Sequence, residues 1–316
     1  MAKKIDARKA AIVGCGFVGA ATAFALVQSR LFSELVLIDA DFDKADGEAL
    51  DIAHGIPFTG QTKIFAGQYR DLSDASVAIV TAGGNQKPGE TRLDLVEKNV
   101  GILKSVIPEI IRQGFDGILL IVSNPVDILT DVAVKLSGLP ESRVIGSGTL
   151  LDTARLKYAL SERLRVDSRS IHSFVIGEHG DSEIVAWSSA NVSGIPLHDF
   201  CEMRGYFDHD AAMREIAEDV KNSAYEIIEK KNATYYGVAM SVRRICECIV
   251  QDEKSILPVS AMIHGMYGID GIALSFPAIL GEEGIETHVP IPLCEEEAAR
   301  LNDSANTLKG ILQTLR

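Results

Sequence analysis

Short apolar runs alternate with helix-length segments through the first half of this 316-residue chain. The runs lie at residues 10–13, 35–38, 77–81, 118–122 and 143–145, with a weaker run at 63–66. The helix-length segments between them are residues 18–28, 43–54, 93–113 and 127–136. Strands that are apolar throughout are buried on both faces, as happens when crossover helices cover a parallel sheet. The pattern therefore predicts an α/β domain with a doubly wound parallel sheet.

The pattern changes after about residue 147. Residues 150–164 and 211–230 have a helical pattern, and residues 171–176 and 184–192 have that of strands. The tail from residue 255 is rich in glycine and proline, contains short strand-like runs, and ends in a helix at 295–315. We therefore predict two domains, residues 1–147 with the parallel sheet and residues 148–316 as an α+β domain carrying an antiparallel sheet.

Composition and charge restrict the kinds of molecule that the chain can be expected to bind. The chain has 31 Lys and Arg against 44 Asp and Glu, a net charge of −13, which repels the phosphate backbone of nucleic acids. No apolar run reaches the roughly 18 residues of a membrane span. The five cysteines include no CxxC pair, so we expect buried thiols rather than metal ligands. With no signal-peptide pattern at the start, we expect a cytoplasmic protein without a metal.

A glycine motif follows the first predicted strand. Gly14, Gly16 and Gly19 form GxGxxG at the start of a predicted helix, where free N–H groups can bind a pyrophosphate. Asp39 ends the second strand, at the position of a carboxylate that binds ribose hydroxyls. No arginine neighbours Asp39 to accept a 2′-phosphate, which favours NAD over NADP. The residues alone also allow a structural turn beside a surface aspartate.

Several residues of possible chemical function lie in loops and at helix starts. His179 follows an apolar strand in a glycine-containing loop, where catalytic residues commonly lie. Asp152 and Arg155 are three residues apart, so on a helix they face the same side. A glycine-rich segment at 82–92 carries Gln86 and Arg92 and could move as a lid. Each could instead be a structural or solvent-exposed residue.

Six segments, taken together and in order, identify a family. They are GCGFVG, AGGNQKPGETRLDLVEKNV, VSNPVDILT, VIGSGTLLDTARLKY, IGEHGDSE and NATYYGVAMS. With them the chain resembles the lactate/malate dehydrogenase family and, within it, the L-lactate dehydrogenases of bacteria. The resemblance implies an N-terminal Rossmann domain and NAD-dependent, reversible hydride transfer between L-lactate and pyruvate, the fermentative step that follows glycolysis.

The resemblance also implies catalytic roles. His179 would donate a proton to the carbonyl oxygen of pyruvate and accept it back in lactate oxidation. Asp152 would hold the imidazole and raise its pKa. Arg155 would bind the substrate carboxylate in a bidentate fork. Arg92 would polarise the carbonyl when the lid closes.

Further binding residues are implied by the same resemblance. Asn124 would lie near the substrate carbonyl and the nicotinamide, and Thr234 would line the substrate cavity. The implied cofactor-binding residues are Gly14, Gly16, Val18, Gly19, Asp39, Lys44, Tyr69, Gly83, Gly84, Val122, Asn124, Ser147 and Val238.

Gln86 bears on which acid is the substrate. Relatives that act on malate have an arginine at this position, which pairs with the second carboxylate of oxaloacetate. A neutral amide leaves that charge unpaired, so pyruvate is favoured. The alternatives are a dehydrogenase for a larger aliphatic 2-hydroxy acid, such as hydroxyisocaproate, and a malate dehydrogenase. An NAD-binding sensor is a further alternative, but sensing would require none of His179, Asp152, Arg155 and Arg92.

Relatives of this kind are commonly homotetramers, and many are activated by fructose 1,6-bisphosphate. The corresponding effector residues here are Lys157 and His172. The lysine replaces the family's usual arginine, so a bidentate phosphate contact becomes a point charge and the response could be weak or absent. Both could also be ordinary surface residues.

Overall fold

A computed structural model describes residues 6–84 and 91–315, except for the side chains of residues 6, 7 and 92. Six parallel strands form one part of the main sheet: β1 (Asp6–Val13), β2 (Glu34–Ile38), β3 (Lys63–Ala66), β4 (Ala75–Val80), β5 (Ile118–Ile121) and β6 (Val144–Gly146). Their order is β3-β2-β1-β4-β5-β6. This is the doubly wound order, and it confirms the predicted Rossmann arrangement.

Helices cover both faces of the parallel strands. They are α1 (Phe17–Ser29), α2 (Phe42–His54), the short α3 (Ile56–Thr59), α4 (Arg92–Arg112) and α5 (Val126–Ser137). Successive residues of β1 enter opposite halves of the core: Ala10 and Ile12 pack with α1 and α2, whereas Ala11 and Val13 pack with α4 and α5. This burial on both faces explains the uninterrupted apolar runs in the sequence.

Residues 148–315 contain five α-helices and eight further strands. The first elements are α6 (Leu150–Leu164), β7 (Ile171–His172), β8 (Val175–Ile176), β9 (Ile184–Val185), β10 (Asn191–Val192) and β11 (Ile195–Pro196). The rest are α7 (Leu197–Met203), α8 (His209–Lys231), α9 (Tyr236–Gln251), β12 (Ser255–Ile263), β13 (Ile272–Gly281), β14 (Gly284–His288) and α10 (Glu295–Thr314). This is the predicted α+β composition.

The antiparallel strands of the tail continue the main sheet, which the sequence did not predict. Strand β12 pairs with β6 through Ser260 and Gly146, and the sheet then runs through β13 to β14. Strands β12 and β13 are nine and ten residues long, and their register places Pro258 opposite Pro277 without interrupting either strand. Residues 171–176, predicted as one strand, are β7 and β8, which belong to separate small sheets.

Two expectations from composition concern the burial of the cysteines and the presence of membrane-spanning helices. All five cysteines are free thiols; four are buried, but Cys294 is exposed because it lies at the start of α10. Over residues 6–84 and 91–315, no helix is both long enough and apolar enough to cross a membrane.

The carboxyl ends of the parallel strands determine where a site forms. Strand order reverses between β1 and β4, and the loops that leave these two strands lie at one edge of the sheet. Gly14 follows β1, Asp39 follows β2, Asn124 follows β5 by three residues and Ser147 follows β6. In open α/β sheets ligands bind at this edge.

Candidate active site

The glycine loop has three positions with different geometry. Gly14 has φ +106°, and a Cβ there would lie 2.5 Å from the backbone nitrogen of Ala82. A Cβ on Gly19 would lie 1.9 Å from the carbonyl oxygen of Gly14. At Gly16, the first residue before α1, a Cβ would meet nothing within 4 Å. The fold therefore requires glycine at 14 and 19, whereas at 16 it leaves space beside the helix N-terminus, which suits a pyrophosphate.

Asp39 links the end of β2 to the glycine loop. Its Oδ2 accepts a hydrogen bond from the backbone N–H of Cys15 over 2.5 Å, and its Oδ1 accepts one from the N–H of Asp41 over 3.0 Å. Each carboxylate oxygen can accept more than one bond, so both retain capacity for ribose hydroxyls. Burial, and then the charge of Asp39, raise the pKa of the Cys15 thiol to about 12, which keeps it protonated.

The loops after β4 and β5 are tied together by Asn99, a buried residue of α4 that the sequence reasoning missed. Its Oδ1 accepts from the N–H of Gly84 over 2.7 Å, and its Nδ2 donates to the carbonyl oxygens of Gly84 and Asn124. Asn99 thus holds two of the segments expected to contact the cofactor. A single buried asparagine on a helix gives no periodic signal that could have identified it.

The other expected cofactor residues differ in exposure. Val122 is buried; Val18, Tyr69, Ser147 and Val238 are half-buried; Lys44 and Gly83 are exposed. Burial raises the pKa of Tyr69.

His179 lies in the loop between β8 and β9 and is held by a carboxylate from α6. Its Nδ1 lies 2.6 Å from Oδ2 of Asp152, and Arg155 donates from Nη1 to the other oxygen of Asp152 over 2.8 Å. Burial alone would lower the pKa of His179, but the charge of Asp152 and the hydrogen bond to it raise the pKa to about 9. The imidazole is therefore protonated near neutral pH and can act as a proton donor.

The two nitrogens of this imidazole have different surroundings. Nδ1 is bonded to Asp152, whereas none of the described residues forms a hydrogen bond with Nε2. A quarter of the side chain is exposed. Nε2 is thus the atom that a substrate could contact.

Three further carboxylates near His179 were not singled out from the sequence. Asp127, in the first turn of α5, accepts the backbone N–H of His179 over 2.7 Å. Glu178 is buried and its carboxylate accepts from Ser182, whose hydroxyl also bonds with Ser304 of α10. Their only signal in the sequence is that they stand beside or inside motifs already recognised.

The third carboxylate near His179 is that of Glu183, and its pKa is raised. Burial, and then the charge of Asp152, raise this pKa to about 8. One ligand atom each from Asp152, His179 and Glu183 lie within 4.8 Å of one another, a spacing that a metal ion could use. However, Asp152 already bonds both to the imidazole and to Arg155, which compensates its charge.

The remaining predicted substrate and effector residues differ in exposure, and two of them lie partly or wholly outside the described part of the chain. Asn124 is exposed after β5, and Thr234 is half-buried just before α9. Arg92 is the first residue of α4, but its side chain lies outside the described part, as does the whole of Gln86. Lys157 is half-buried on α6, where burial lowers its pKa, and His172 is exposed on β7, which packs against α6.

Comparison with protein families matches almost all of the chain. Residues 8–146 match the NAD binding domain of lactate/malate dehydrogenase, and residues 149–315 match the alpha/beta C-terminal domain of the same family.

Individual relatives are similar over their whole length. The chain is 51% identical to an L-lactate dehydrogenase of Acetivibrio thermocellus, covering 98% of this chain and 97% of the relative. It is 48% identical to L-lactate dehydrogenase 1 of Clostridium acetobutylicum, over 97% and 98%. Among solved structures, a lactate dehydrogenase from a Medee basin deep-sea metagenome library has 46% identity, 98% coverage of both chains and a TM-score of 0.95. The minor L-lactate dehydrogenase of Enterococcus mundtii, in its ligands-bound form, has 44% identity, 98% coverage of both chains and a TM-score of 0.94.

Proposed function

The chain belongs to the lactate/malate dehydrogenase family, and from that premise we propose that it is an NAD-dependent L-lactate dehydrogenase. The observation that carries this proposal is the pairing of His179 with Asp152 over 2.6 Å. That pairing gives a protonated imidazole beside a buried carboxylate, which is what reduction of a 2-oxo acid requires.

Each residue then has a defined task. The glycine loop and Asp39 would hold NADH, which would supply the hydride that reduces the carbonyl carbon of pyruvate. His179 donates the Nε2 proton to the carbonyl oxygen of pyruvate, while Asp152 stabilises the imidazolium and fixes its orientation. Arg155 binds the substrate carboxylate with the guanidinium nitrogens that Asp152 leaves free. Arg92, Asn124 and Thr234 complete the substrate site, and the reaction involves no metal.

A steady-state screen tests this function. Pyruvate, oxaloacetate and 2-oxoisocaproate are compared, each with NADH and with NADPH, and we expect the highest kcat/KM for pyruvate with NADH. A preference for oxaloacetate would instead identify a malate dehydrogenase, and a preference for 2-oxoisocaproate a dehydrogenase of larger 2-hydroxy acids. Tight NADH binding without turnover of any of the three would favour the sensor.

The variant His179→Asn examines the proton transfer itself. It keeps the polarity of the side chain but removes the titratable ring, so kcat should fall by at least about 10²-fold. Undiminished turnover by a folded variant would refute the mechanism.

We also propose a homotetramer in the cytoplasm, with a domain boundary at residues 147/148. Assembly is supported by large apolar side chains that are exposed on α1, α3 and α9. They are Phe17, Phe24, Phe58, Tyr236 and Met240. The boundary is supported by the gap between the two matched family domains. Sedimentation velocity measures the assembly, and a monomer at micromolar concentration would refute it.

Fructose 1,6-bisphosphate is proposed as an effector that binds Lys157 and His172. Support comes from the contact of β7 with α6, the elements that carry these two cationic or titratable side chains. Pyruvate saturation measured with and without the sugar bisphosphate is the test. Identical curves would remove the effector and leave the catalytic proposal intact.

A further inference from the structure

Asp127 is a buried carboxylate that joins the two halves of the chain. It lies in the first turn of α5, among the Rossmann elements, and only 2% of it is exposed. Its Oδ2 accepts the backbone N–H of His179, 52 residues away in sequence, over 2.7 Å. Its Oδ1 accepts the hydroxyl of Ser275 in β13 over 2.8 Å. The backbone N–H can only donate, and the hydroxyl donates to Oδ1, so these bonds favour the ionised carboxylate and oppose burial, which raises the pKa of Asp127.

Ser275 closes this arrangement through its backbone. Its carbonyl oxygen accepts the N–H of Gly177 over 2.9 Å, and its own N–H donates to the carbonyl oxygen of Gly177 over 3.2 Å. Strand β13 therefore binds the loop between β8 and β9, which we call the catalytic loop, two residues before His179. Asp127 binds the same loop at His179. A buried carboxylate that lost these donors would be strongly disfavoured, so the three elements hold one another in register.

The charges around the imidazole come from different elements. Asp152 acts from α6, Glu183 from the end of the catalytic loop and Asp127 from α5, and each raises the pKa of His179 against the effect of burial. Two cations oppose these charges: Arg155, which pairs with Asp152, and Lys221, whose charge acts on Glu183. Asp152 bonds to Nδ1 of the ring, whereas Asp127 bonds to the main chain of His179 and to neither ring nitrogen.

We propose that Asp127 is a positioning residue for the proton transfer: it fixes the main chain of His179 and supplies a second negative charge that keeps the imidazole protonated. This inference rests on the proposed function, because it assigns Asp127 to the proton donor of that reaction. Asp127 is buried and bonds to the main chain of His179, so it acts through that residue.

The test compares Asp127→Asn with Asp131→Asn. Asp131 lies one turn further along α5, is equally buried, and is paired with Lys135 instead of the catalytic loop. In Asp127→Asn we expect the pKa of His179, followed by NMR of the free protein, to fall by about one unit. In Asp131→Asn the melting temperature can change, but the pKa of His179 should not.

The pH profile adds a readout that a purely structural role would not move. A fall of about one unit from a pKa near 9 leaves pyruvate reduction almost unchanged at pH 7 and lowers it about fivefold at pH 9. An equal loss at every pH, or an unchanged pKa of His179, overturns the proposal. Because the NMR titration uses no substrate, it separates failure of this inference from failure of the proposed function.

Hydrogen exchange of the wild-type protein keeps the proposal testable if Asp127→Asn does not fold. The amide of His179 should be protected, since its acceptor is a buried carboxylate. Exchange at the rate of an unprotected amide would overturn the proposal without any variant.

Discussion

Arg155 donates a hydrogen bond to Asp152 over 2.8 Å, and the other oxygen of the same carboxylate holds His179. One buried side chain thus orients both the proposed proton donor and the proposed carboxylate-binding group. Since Asp152 and Arg155 are one helical turn apart on α6, the helix itself sets the distance between the two functions.

Asp152→Asn should therefore impair two steps at once. Loss of the charge should lower the pKa of His179 from about 9 by about two units, and it should release Arg155 from its fixed orientation and raise KM for pyruvate. NMR titration of the imidazole and steady-state kinetics measure the two effects. Asp167→Asn, which removes an exposed ion pair with Arg169, is the control and should change neither. An unchanged pKa of His179 would refute the role of Asp152.

The pH dependence follows from the sign of the shift at His179. The pKa is raised, so pyruvate reduction should be level below about pH 8 and fall as the pH passes 9, whereas lactate oxidation should rise over the same range. The stability that the paired imidazolium contributes is fully present below pH 6.5 and is lost as the pH rises through 9.

Glu183 should affect the alkaline limb of the pH profile, that is, the range near pH 9 over which pyruvate reduction falls. Its charge contributes to the raised pKa of His179, so Glu183→Gln should shift the limb to lower pH. The exposed Glu226→Gln, which pairs with Lys230 on α8, is the control. If the limb of Glu183→Gln coincides with that of the wild type, Glu183 does not act on the imidazole.

Gln86→Arg addresses substrate choice. A guanidinium at this position would pair with the second carboxylate of oxaloacetate, and an ion pair in a desolvated site can change relative affinity by several kcal/mol. We expect the ratio of kcat/KM for oxaloacetate over pyruvate to rise at least about tenfold. Gln313→Arg, at an exposed position in the last turn of α10, is the matched control. A ratio equal to that of the wild type would mean that Gln86 does not read the substrate side chain.

The sequence predicted the elements whose signal is local. Strands β1 to β6 were identified because each is a short apolar run between helices, and the glycine motif because its spacing reflects one tight turn. The long strands β12 and β13 were missed as parts of the main sheet, because proline and glycine suggested short pieces. Nothing within one strand indicates which neighbour it pairs with.

The candidate site likewise contains residues that local motifs predict and residues that only the folded chain reveals. His179, Asp152 and Arg155 lie in recognisable motifs, and the structure brings these three together. Asn99 and Asp127 contact the site across 15 to 52 residues of sequence. A buried polar residue of this kind is visible only when the donors and acceptors of the folded chain are paired.

Two glycines in the cofactor loop allow fold and binding to be separated. Gly14→Ala places a Cβ 2.5 Å from the backbone of Ala82 at a φ of +106°, so it should destabilise the protein by at least about 2 kcal/mol. Gly16→Ala meets no atom within 4 Å and should change the free energy of unfolding by less than about 1 kcal/mol.

NADH binding should be weakened in Gly16→Ala even though this variant keeps normal stability. In Gly16→Ala the added methyl group occupies the space where the pyrophosphate would approach the N-terminus of α1, so the Kd for NADH should rise at least about tenfold in a protein of normal stability. Urea unfolding and fluorescence titration with NADH measure the two quantities on the same samples. Gly101→Ala, at an exposed position inside α4 where a Cβ also meets nothing, is the control for adding a methyl group. If Gly16→Ala binds NADH as tightly as Gly101→Ala does, the pyrophosphate does not lie at this loop.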